Sequence, residues 1–240
     1  MSVPGARTFK KILGPRWTVV ARCVLRGKPL PRWGNLRRTR PLSDRFGIDR
    51  GTILDRYYLD QFLTRHQRFI TGRVLEIQES SHTRRYGRNV TAVDTIDINP
   101  QVQPTFVCDL AEADRVLPAN AYDCVLLPNT LHHLRNVPQS LRQMLRALKP
   151  GGVLLAAACA FVPLIPDGPD YWRLSEQGWR EVIMPVLRDH EVEIEARGNC
   201  LAAVAALMGI AVEELTAAEL DDYDPRYPVL VTLFCRKSCD

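Results

Sequence analysis

The most informative absence in this sequence is that of a long apolar run. No stretch reaches the roughly 18 apolar residues that a membrane-spanning helix needs, and the apolar run from Trp17 to Leu25 is interrupted by Arg22. No small-residue cleavage site follows a proper apolar core there, so the sequence predicts neither a transmembrane segment nor a signal peptide. We expect a cytoplasmic protein.

The seven cysteines form no CxxC pair, and Cys235 and Cys239 are the only two that stand close together. A single CxxxC spacing without a second pair is weak evidence of a zinc site. Because most of the cysteines lie inside apolar runs, we interpret them as reduced thiols of the core.

Motifs of several enzyme classes are also missing. The five histidines show neither HxxxH nor HxH spacing, and neither a P-loop nor a nucleophilic-serine motif occurs. Two adjacent histidines do not make a metal cage. The sequence therefore predicts no metal site and offers no motif for phosphate-loop or serine-nucleophile chemistry.

Acidic residues are nearly absent from residues 1–45, which contain 12 lysines and arginines but only one acid, Asp44. The remainder then has 20 basic and 26 acidic residues, a net charge of −6. We predict a basic N-terminal extension, 1–48, followed by one domain, 49–240. The extension could be merely solvated, or could bind nucleic acid, an anionic membrane surface or a phosphate-bearing acceptor. Nucleic acid is disfavoured, because no recognised binding module surrounds these residues.

From residue 49 onward, helical and strand patterns alternate. Apolar residues at helical spacing between Ile53 and Phe69 predict a helix, capped by Asp49 or Thr52. The alternation predicts an α/β fold, a doubly wound and mostly parallel seven-stranded sheet with helices on both faces and an antiparallel last strand. The predicted strands are 74–77, 90–93, 105–108, 122–127, 153–158, 192–196 and 229–235, and the later helices are 137–148, 175–187, 201–208 and 213–220.

The stretch Asn120–Ala156 contains the clearest unit of this kind. A buried strand ends at Pro128, a helix with Asn136 as its N-cap follows, and a Lys-Pro-Gly-Gly turn leads into a second buried strand. Parallel strands joined by a helix bind ligands at their carboxyl ends. His132 and His133 follow the first of these ends.

Five strings follow one another in this order along the chain: Gly72-Arg73-Val74-Leu75-Glu76-Ile77, Val93-Asp94, Cys108-Asp109-Leu110, Tyr122-Asp123-Cys124-Val125 and Leu148-Lys149-Pro150-Gly151-Gly152. Together they resemble the class I S-adenosylmethionine-dependent methyltransferases, of the type that tailors small molecules and sugars. The string Leu148-Lys149-Pro150-Gly151-Gly152 is the most specific, and Asp170–Ser175 looks like a string found in sugar and natural-product enzymes. The resemblance covers residues 72–160 best.

The resemblance implies S-adenosylmethionine as the cofactor. It implies that Glu76 orients the cofactor's amino group or braces the turn after the first strand. Asp94 is expected to accept the ribose hydroxyls, since it follows Glu76 by 18 residues. Asp97 is the alternative, because a sequence fixes strand ends only to within about two residues. The remaining cofactor residues implied are Gln78 in the turn, Asp109 and Leu110 at the adenine, and Asn129 beside the methionine part.

The turn Ile77-Gln78-Glu79-Ser80-Ser81 departs from the family, whose turn is rich in glycine so that the cofactor can lie against the backbone. A side chain at Gln78 takes up space that the cofactor usually occupies, and Glu79 adds a negative charge. We expect either a rearranged turn, in which Arg84 or Arg85 pairs with the cofactor carboxylate, or cofactor binding that is weak or lost.

Methyl transfer also needs an acceptor site, and often a base that takes a proton from the acceptor. His133, ahead of His132, is the candidate base, although each histidine could instead cap or pack locally. Asp170 is a further catalytic candidate, and Asp167 could help to cover the pocket. The candidates for binding the acceptor are Tyr57, Tyr58, Tyr171, Trp172 and Arg173, although Trp172 could equally pack in the core.

The preferred hypothesis is a methyltransferase that acts on an oxygen or nitrogen of a small molecule, such as a sugar, a nucleotide sugar or a natural product. The first alternative is a methyltransferase fold without methyl transfer, suggested by the turn at Gln78. The second is an RNA methyltransferase guided by the basic extension. The sequence does not define the acceptor, the methylated atom or the oligomeric state.

Overall fold

The computed structural model describes residues 15–30, 32, 34–166 and 168–239, so Asp167 and residues 1–14 lie outside the described residues. The chain divides into two compact units, Met1–Arg40 and Pro41–Asp240. This division lies eight residues before the predicted boundary at 48. Residues 41–48 belong with the domain, since the backbone amides of Leu42 and Ser43 donate to the carbonyl of Met208.

The first unit contains helix α1, Pro15–Leu25, and a 3-10 turn at Gly34–Leu36. Along α1 the side chains of Trp17, Val24 and Leu25 are exposed.

The second unit contains a seven-stranded sheet with the strand order β3-β2-β1-β4-β5-β7-β6. Neighbours among β1 to β5 are parallel, whereas β7 runs antiparallel to both of its neighbours, β5 and β6. The predicted fold class is therefore confirmed, including the antiparallel last strand. The strands are β1 (Gly72–Ile77), β2 (Val90–Asp97), β3 (Phe106–Val107), β4 (Tyr122–Leu127), β5 (Leu148–Cys159), β6 (Glu191–Arg197) and β7 (Leu230–Arg236).

Helices cover both faces of the sheet and create two buried apolar clusters. One cluster packs the helices Val137–Ala147 and Glu176–Leu187 and the 3-10 segment Leu110–Arg115 against one face. The other packs the helices Leu54–His66 and Cys200–Met208 and the side chain of Tyr86 against the opposite face. The helices of this unit are α2 (Leu54–His66), α3 (Ser81–Tyr86), α4 (Val137–Ala147), α5 (Glu176–Leu187), α6 (Cys200–Met208) and α7 (Ala217–Asp221).

Local signals in the sequence account for most of the helix starts. The side chain of Asn136 accepts a hydrogen bond from the amide of Gln139, and that of Ser175 accepts one from Gly178, as N-caps do. The predicted helix 213–220 is wrong as a single element. Thr216 caps a separate helix, α7, and a 3-10 turn, Val212–Glu214, precedes it.

All seven cysteines are free thiols, as predicted. Their placement in the core is correct only in part. Cys124, Cys159 and Cys235 are buried, whereas Cys200 and Cys239 are exposed.

Candidate functional site

The parallel strands bring several predicted residues to one edge of the sheet. Gln78 follows β1, Asp97 ends β2, Asp109 follows β3 and Asn129 follows β4. Because parallel strands have their carboxyl ends on the same side, these side chains belong to one ligand-binding edge. The segment 160–174, which follows β5, meets the same edge, since the amide of Tyr171 donates to the carbonyl of His132 at 2.8 Å.

Glu76 is fully buried and braces the turn after β1. Its Oε1 accepts from the backbone amide of His82 at 2.9 Å, and its Oε2 accepts from the amide and the hydroxyl of Thr83 at 2.9 and 2.6 Å. The His82 ring lies 2.8 Å from Oε1 as well. Because both of its oxygens accept hydrogen bonds from this turn, the carboxylate holds the first turn of α3 in place. Of the two roles that the sequence left open for Glu76, this contact corresponds to bracing the turn.

Gln78 adopts a left-handed backbone conformation, with φ of +64°. This conformation is unfavourable by roughly 1–2 kcal/mol for a residue with a side chain, and glycine adopts it freely. The backbone of the turn therefore follows a path that suits glycine although none is present. Arg84 donates to the hydroxyl of Ser80 at 2.6 Å and so stays at the turn, whereas Arg85 pairs with Asp60.

Asp94 lies inside β2 rather than at its end, because the strand continues to Asp97. Its Oδ2 accepts from Nε of Arg73 at 2.9 Å and from the hydroxyl of Tyr122 at 3.0 Å, so that its charge is paired within the sheet. The predicted strand end is therefore wrong. The acid at the carboxyl end of β2 is Asp97, the alternative that the sequence offered, and its Oδ1 accepts from the amide of Asn99.

Asp109 is exposed and caps the 3-10 segment that follows β3, since its Oδ1 accepts from the amide of Ala111 at 2.8 Å. Its other carboxylate oxygen accepts no hydrogen bond from the described residues. Leu110 is only 3% exposed and packs in the core beside Ile96. Its side chain thus offers little surface on which an adenine ring could stack.

Asn129 meets a buried acid that comes from a distant part of the chain. Its Nδ2 donates to Oδ2 of Asp55, in the first turn of α2, and the thiol of Cys159 at the end of β5 lies 3.8 Å from the same oxygen. Asp55 is 6% exposed. Burial raises the pKa of Asp55, while Arg56 and Asn129 act in the opposite direction.

His132 is 1% exposed, and its Nδ1 accepts a hydrogen bond from the backbone amide of Cys159 at 3.3 Å. Burial, followed by the charges of His133 and Arg173, lowers the pKa of His132 to about 3. A neutral ring that accepts a backbone hydrogen bond ties β5 to the segment after β4. This geometry matches the local packing role that the sequence left open for one of the two histidines.

His133 is half-buried, and its Nδ1 contacts the carbonyl oxygen of Pro169. Because a carbonyl can only accept, Nδ1 is the protonated nitrogen and Nε2 of the neutral ring is left as an acceptor. The two histidine rings lie 3.9 Å apart between centroids. Of the pair, His133 is the one whose side chain is not fully buried, so it stays the candidate general base.

Asp170 and Arg173 form an ion pair in the segment after β5. The side chains of both are largely buried, at 5% and 19% exposure. NH2 of Arg173 also donates to the carbonyl of Pro163 at 3.3 Å. Tyr171 is exposed, and the indole of Trp172 donates to the carbonyl of Leu134 at 2.8 Å while its ring packs against the core. Of these residues, Asp170 and Arg173 therefore bring buried charge to the site.

Tyr57 and Tyr58, which were predicted to bind the acceptor, have their hydroxyls hydrogen-bonded to α7. The hydroxyl of Tyr57 donates to Asp221 at 2.8 Å, and that of Tyr58, a buried residue, donates to the carbonyl of Leu220 at 3.0 Å. Both rings are committed to α7. A buried tyrosine needs an acceptor for its hydroxyl, and the end of α7 supplies one.

Sequence reasoning missed Asp55, although one signal was available. The buried stripe of α2 contains Leu54, Tyr58, Leu59, Phe62 and Leu63, and Asp55 lies in the same stripe. A carboxylate at a core-facing position of an amphipathic helix indicates a special environment.

Two absences hold within the part of the chain that the structure describes. No group of histidine, cysteine and acidic side chains there is arranged to hold a metal ion. No helix among the same residues combines the length and the apolar character needed to cross a membrane.

Residues 75–156, about a third of the chain, match the family model described as "Methyltransferase domain". These residues are similar to a methyltransferase domain. This match supports methyl transfer that depends on S-adenosylmethionine as the enzyme class, with S-adenosylmethionine as the cofactor. A search of curated proteins finds no match.

Solved structures share the fold at low sequence identity. A methyltransferase from Archaeoglobus fulgidus that depends on S-adenosylmethionine is 15% identical, with a TM-score of 0.50 over 76% of this chain and 94% of its own. A chain of the complex between the Haloferax volcanii Trm112 methyltransferase activator and a methyltransferase is 16% identical, with a TM-score of 0.50 over 77% and 93%. At this identity the likeness extends to the fold and no further.

Proposed function

We propose that the protein transfers a methyl group to an oxygen or nitrogen of a small molecule, bound at the carboxyl ends of β4 and β5. The observation that supports this acceptor site is the buried polar group formed there by Asp55, Asn129, Asp170 and Arg173. A few polar side chains that converge in a buried place are typical of a site that orients a ligand.

The cofactor residues fit S-adenosylmethionine at three strand ends. Asp97 would accept the ribose hydroxyls, and Asp109 would accept from the adenine amino group with the carboxylate oxygen that does not cap the 3-10 segment. Asn129 would lie beside the methionine part. When bound there, S-adenosylmethionine would supply an electrophilic methyl group.

The residues of this chain would then handle the acceptor. Nε2 of His133 would take the acceptor's proton, and a general base contributes roughly 10²–10⁴-fold to rate. His132 would position the loop that presents His133 rather than exchange protons itself. Arg173 and Asp170 would orient the acceptor, since both are held in place by their ion pair.

Calorimetric titration with S-adenosylmethionine and S-adenosylhomocysteine tests the cofactor assignment. We expect micromolar binding, and at least a tenfold loss in Asp97→Asn, because hydrogen bonds to a charged group are lost. Asp94→Asn is the matched control. It should leave cofactor affinity unchanged and lower the stability of the sheet, since its partners are Arg73 and Tyr122.

A protein that keeps the fold without methyl transfer is the second candidate, favoured by Gln78 and Glu79 in the cofactor turn. It requires that neither compound binds at millimolar concentration. If Asp94→Asn rather than Asp97→Asn weakens binding, the ribose assignment returns to Asp94.

A further inference from the structure

Buried polar atoms without a hydrogen-bond partner are concentrated in one place among the described residues. They are Oδ1 of Asn129, Oδ1 of Asp170, and Nε and NH1 of Arg173. Outside this place only Gln143 and Trp179 contribute such atoms. An unpaired buried polar group costs roughly 1–3 kcal/mol, so that four of them together indicate a site where a ligand completes the hydrogen bonds.

A chain of contacts connects these atoms. Asn129 donates to Asp55, and the thiol of Cys159 lies against the same carboxylate. The backbone amides of Cys159 and Tyr171 both donate to His132, so the segment with the Asp170–Arg173 ion pair lies against the same end of β5. The unpaired atoms therefore belong to one cluster, which we call the Asn129–Arg173 cluster, consisting of Asp55, Asn129, Cys159, Asp170 and Arg173.

The hydrogen-bonding needs of this cluster identify the chemistry of its ligand. The oxygens of Asn129 and Asp170 each require a donor, whereas Nε and NH1 of Arg173 each require an acceptor. A hydroxyl group donates one hydrogen bond and accepts others. We propose that the Asn129–Arg173 cluster binds neighbouring hydroxyl groups of a neutral, sugar-like acceptor, an inference that rests on the proposed function.

An anionic ligand fits the cluster less well. A carboxylate or phosphate would satisfy Arg173 but would leave the oxygens of Asn129 and Asp170 without donors. It would also lie among two carboxylates, those of Asp55 and Asp170, with the single guanidinium of Arg173 among the cluster residues to oppose them. Like charges repel strongly where water is excluded.

The four atoms are closed to bulk solvent, since each has less than 1 Å² of accessible surface. Asp170 and Arg173 follow β5, in a part of the chain where described side chains such as Phe161 and Leu164 are exposed. Entry of an acceptor therefore requires that this segment move away from the end of β5.

Saturation-transfer NMR on the full-length protein tests the proposal, with and without S-adenosylhomocysteine. The probes are the methyl glycosides of glucose, galactose, mannose and rhamnose, compared with glucuronate, glucose 6-phosphate and inorganic phosphate. We expect one or more neutral glycosides to bind in preference to the anions. Asp170→Asn should weaken that binding about tenfold or more, because an acceptor becomes a donor.

Arg173→Lys is a second variant, which keeps the charge but removes Nε, and it should weaken glycoside binding to a similar extent. Asp224→Asn is the matched control, because Asp224 also pairs with an arginine, Arg226, in a different loop. It should leave glycoside binding unchanged. All variants should retain S-adenosylhomocysteine affinity.

Two results would overturn the proposal. One is that no neutral glycoside binds under either condition. The other is that an anion binds and Asp170→Asn strengthens it, as the removal of a repelling charge would. If the unmodified protein does not bind S-adenosylhomocysteine, that result counts against the proposed function. Glycoside binding measured in the absence of S-adenosylhomocysteine still tests the Asn129–Arg173 cluster.

Discussion

At the scale of single residues, the two adjacent histidines lie in different environments, which the sequence could not distinguish. His132 is buried and accepts a backbone hydrogen bond, whereas His133 keeps a nitrogen available. Because the pKa of His132 falls from 6.5 to about 3 on folding, the folded state excludes a proton that the unfolded chain binds.

We expect acid to destabilise the protein partly through His132. As pH falls below 6.5, the unfolded state takes up the proton and the folded state does not until about pH 3, so stability falls by up to about 1.4 kcal/mol per pH unit. His132→Asn removes this dependence. Its stability deficit relative to the unmodified protein should shrink by about 2–3 kcal/mol between pH 7 and pH 4.5.

Urea unfolding at a series of pH values measures this deficit. His190→Asn, a substitution at a half-buried histidine elsewhere, is the control. It shows how much the stability deficit changes with pH when a histidine outside this site is removed. A deficit of His132→Asn that stays constant from pH 7 to pH 4.5 would contradict the assigned role.

At the scale of elements, the turn between β1 and α3 contains two opposing features. Glu76 holds the first turn of α3 with several hydrogen bonds, while Gln78 adopts a conformation that suits glycine. The turn is therefore well braced on one side and strained at the residue nearest the expected cofactor.

Gln78→Gly should relieve this strain and clear the side chain from the cofactor's path. We expect a stability gain of up to about 1 kcal/mol, because the freedom that glycine adds to the unfolded chain offsets part of the benefit. Cofactor affinity should rise severalfold, measured by calorimetry with S-adenosylhomocysteine.

Asn89→Gly is the matched control for this variant. Asn89 also has a positive φ, +51°, but it precedes β2 and lies at the opposite edge of the sheet. It should change stability without changing affinity. If Gln78→Gly weakens cofactor binding, the glutamine side chain is a ligand contact rather than an obstruction.

Local patterns predicted the type of nearly every element, and they failed where distant residues decide. The end of β2 was misplaced because Asp94 pairs with Arg73 and accepts a hydrogen bond from Tyr122, which are 21 and 28 positions away. Asp55 was missed because its partner Asn129 is 74 positions away. The roles of His132 and His133 likewise depend on β5 and Pro169, which no local pattern reveals.

At the scale of the whole molecule, the buried apolar side chains of the described residues all lie at or after Leu54. Deletion of residues 1–40 should therefore leave the thermal midpoint within about 3 °C and leave cofactor affinity unchanged. Scanning calorimetry and titration of the shortened chain measure both. An affinity for RNA that falls steeply with salt and is lost on this deletion would favour the RNA methyltransferase alternative.

The position of β7 constrains the order in which the sheet can assemble. β6 joins the sheet only through β7, and β7 pairs with β5 across a long separation in sequence, as Val153 with Arg236. Pairing over such distances is slow. The five parallel strands β1 to β5 can pair through contacts that are nearer in sequence. β6 can join the sheet only after β7 has joined it, or together with β7.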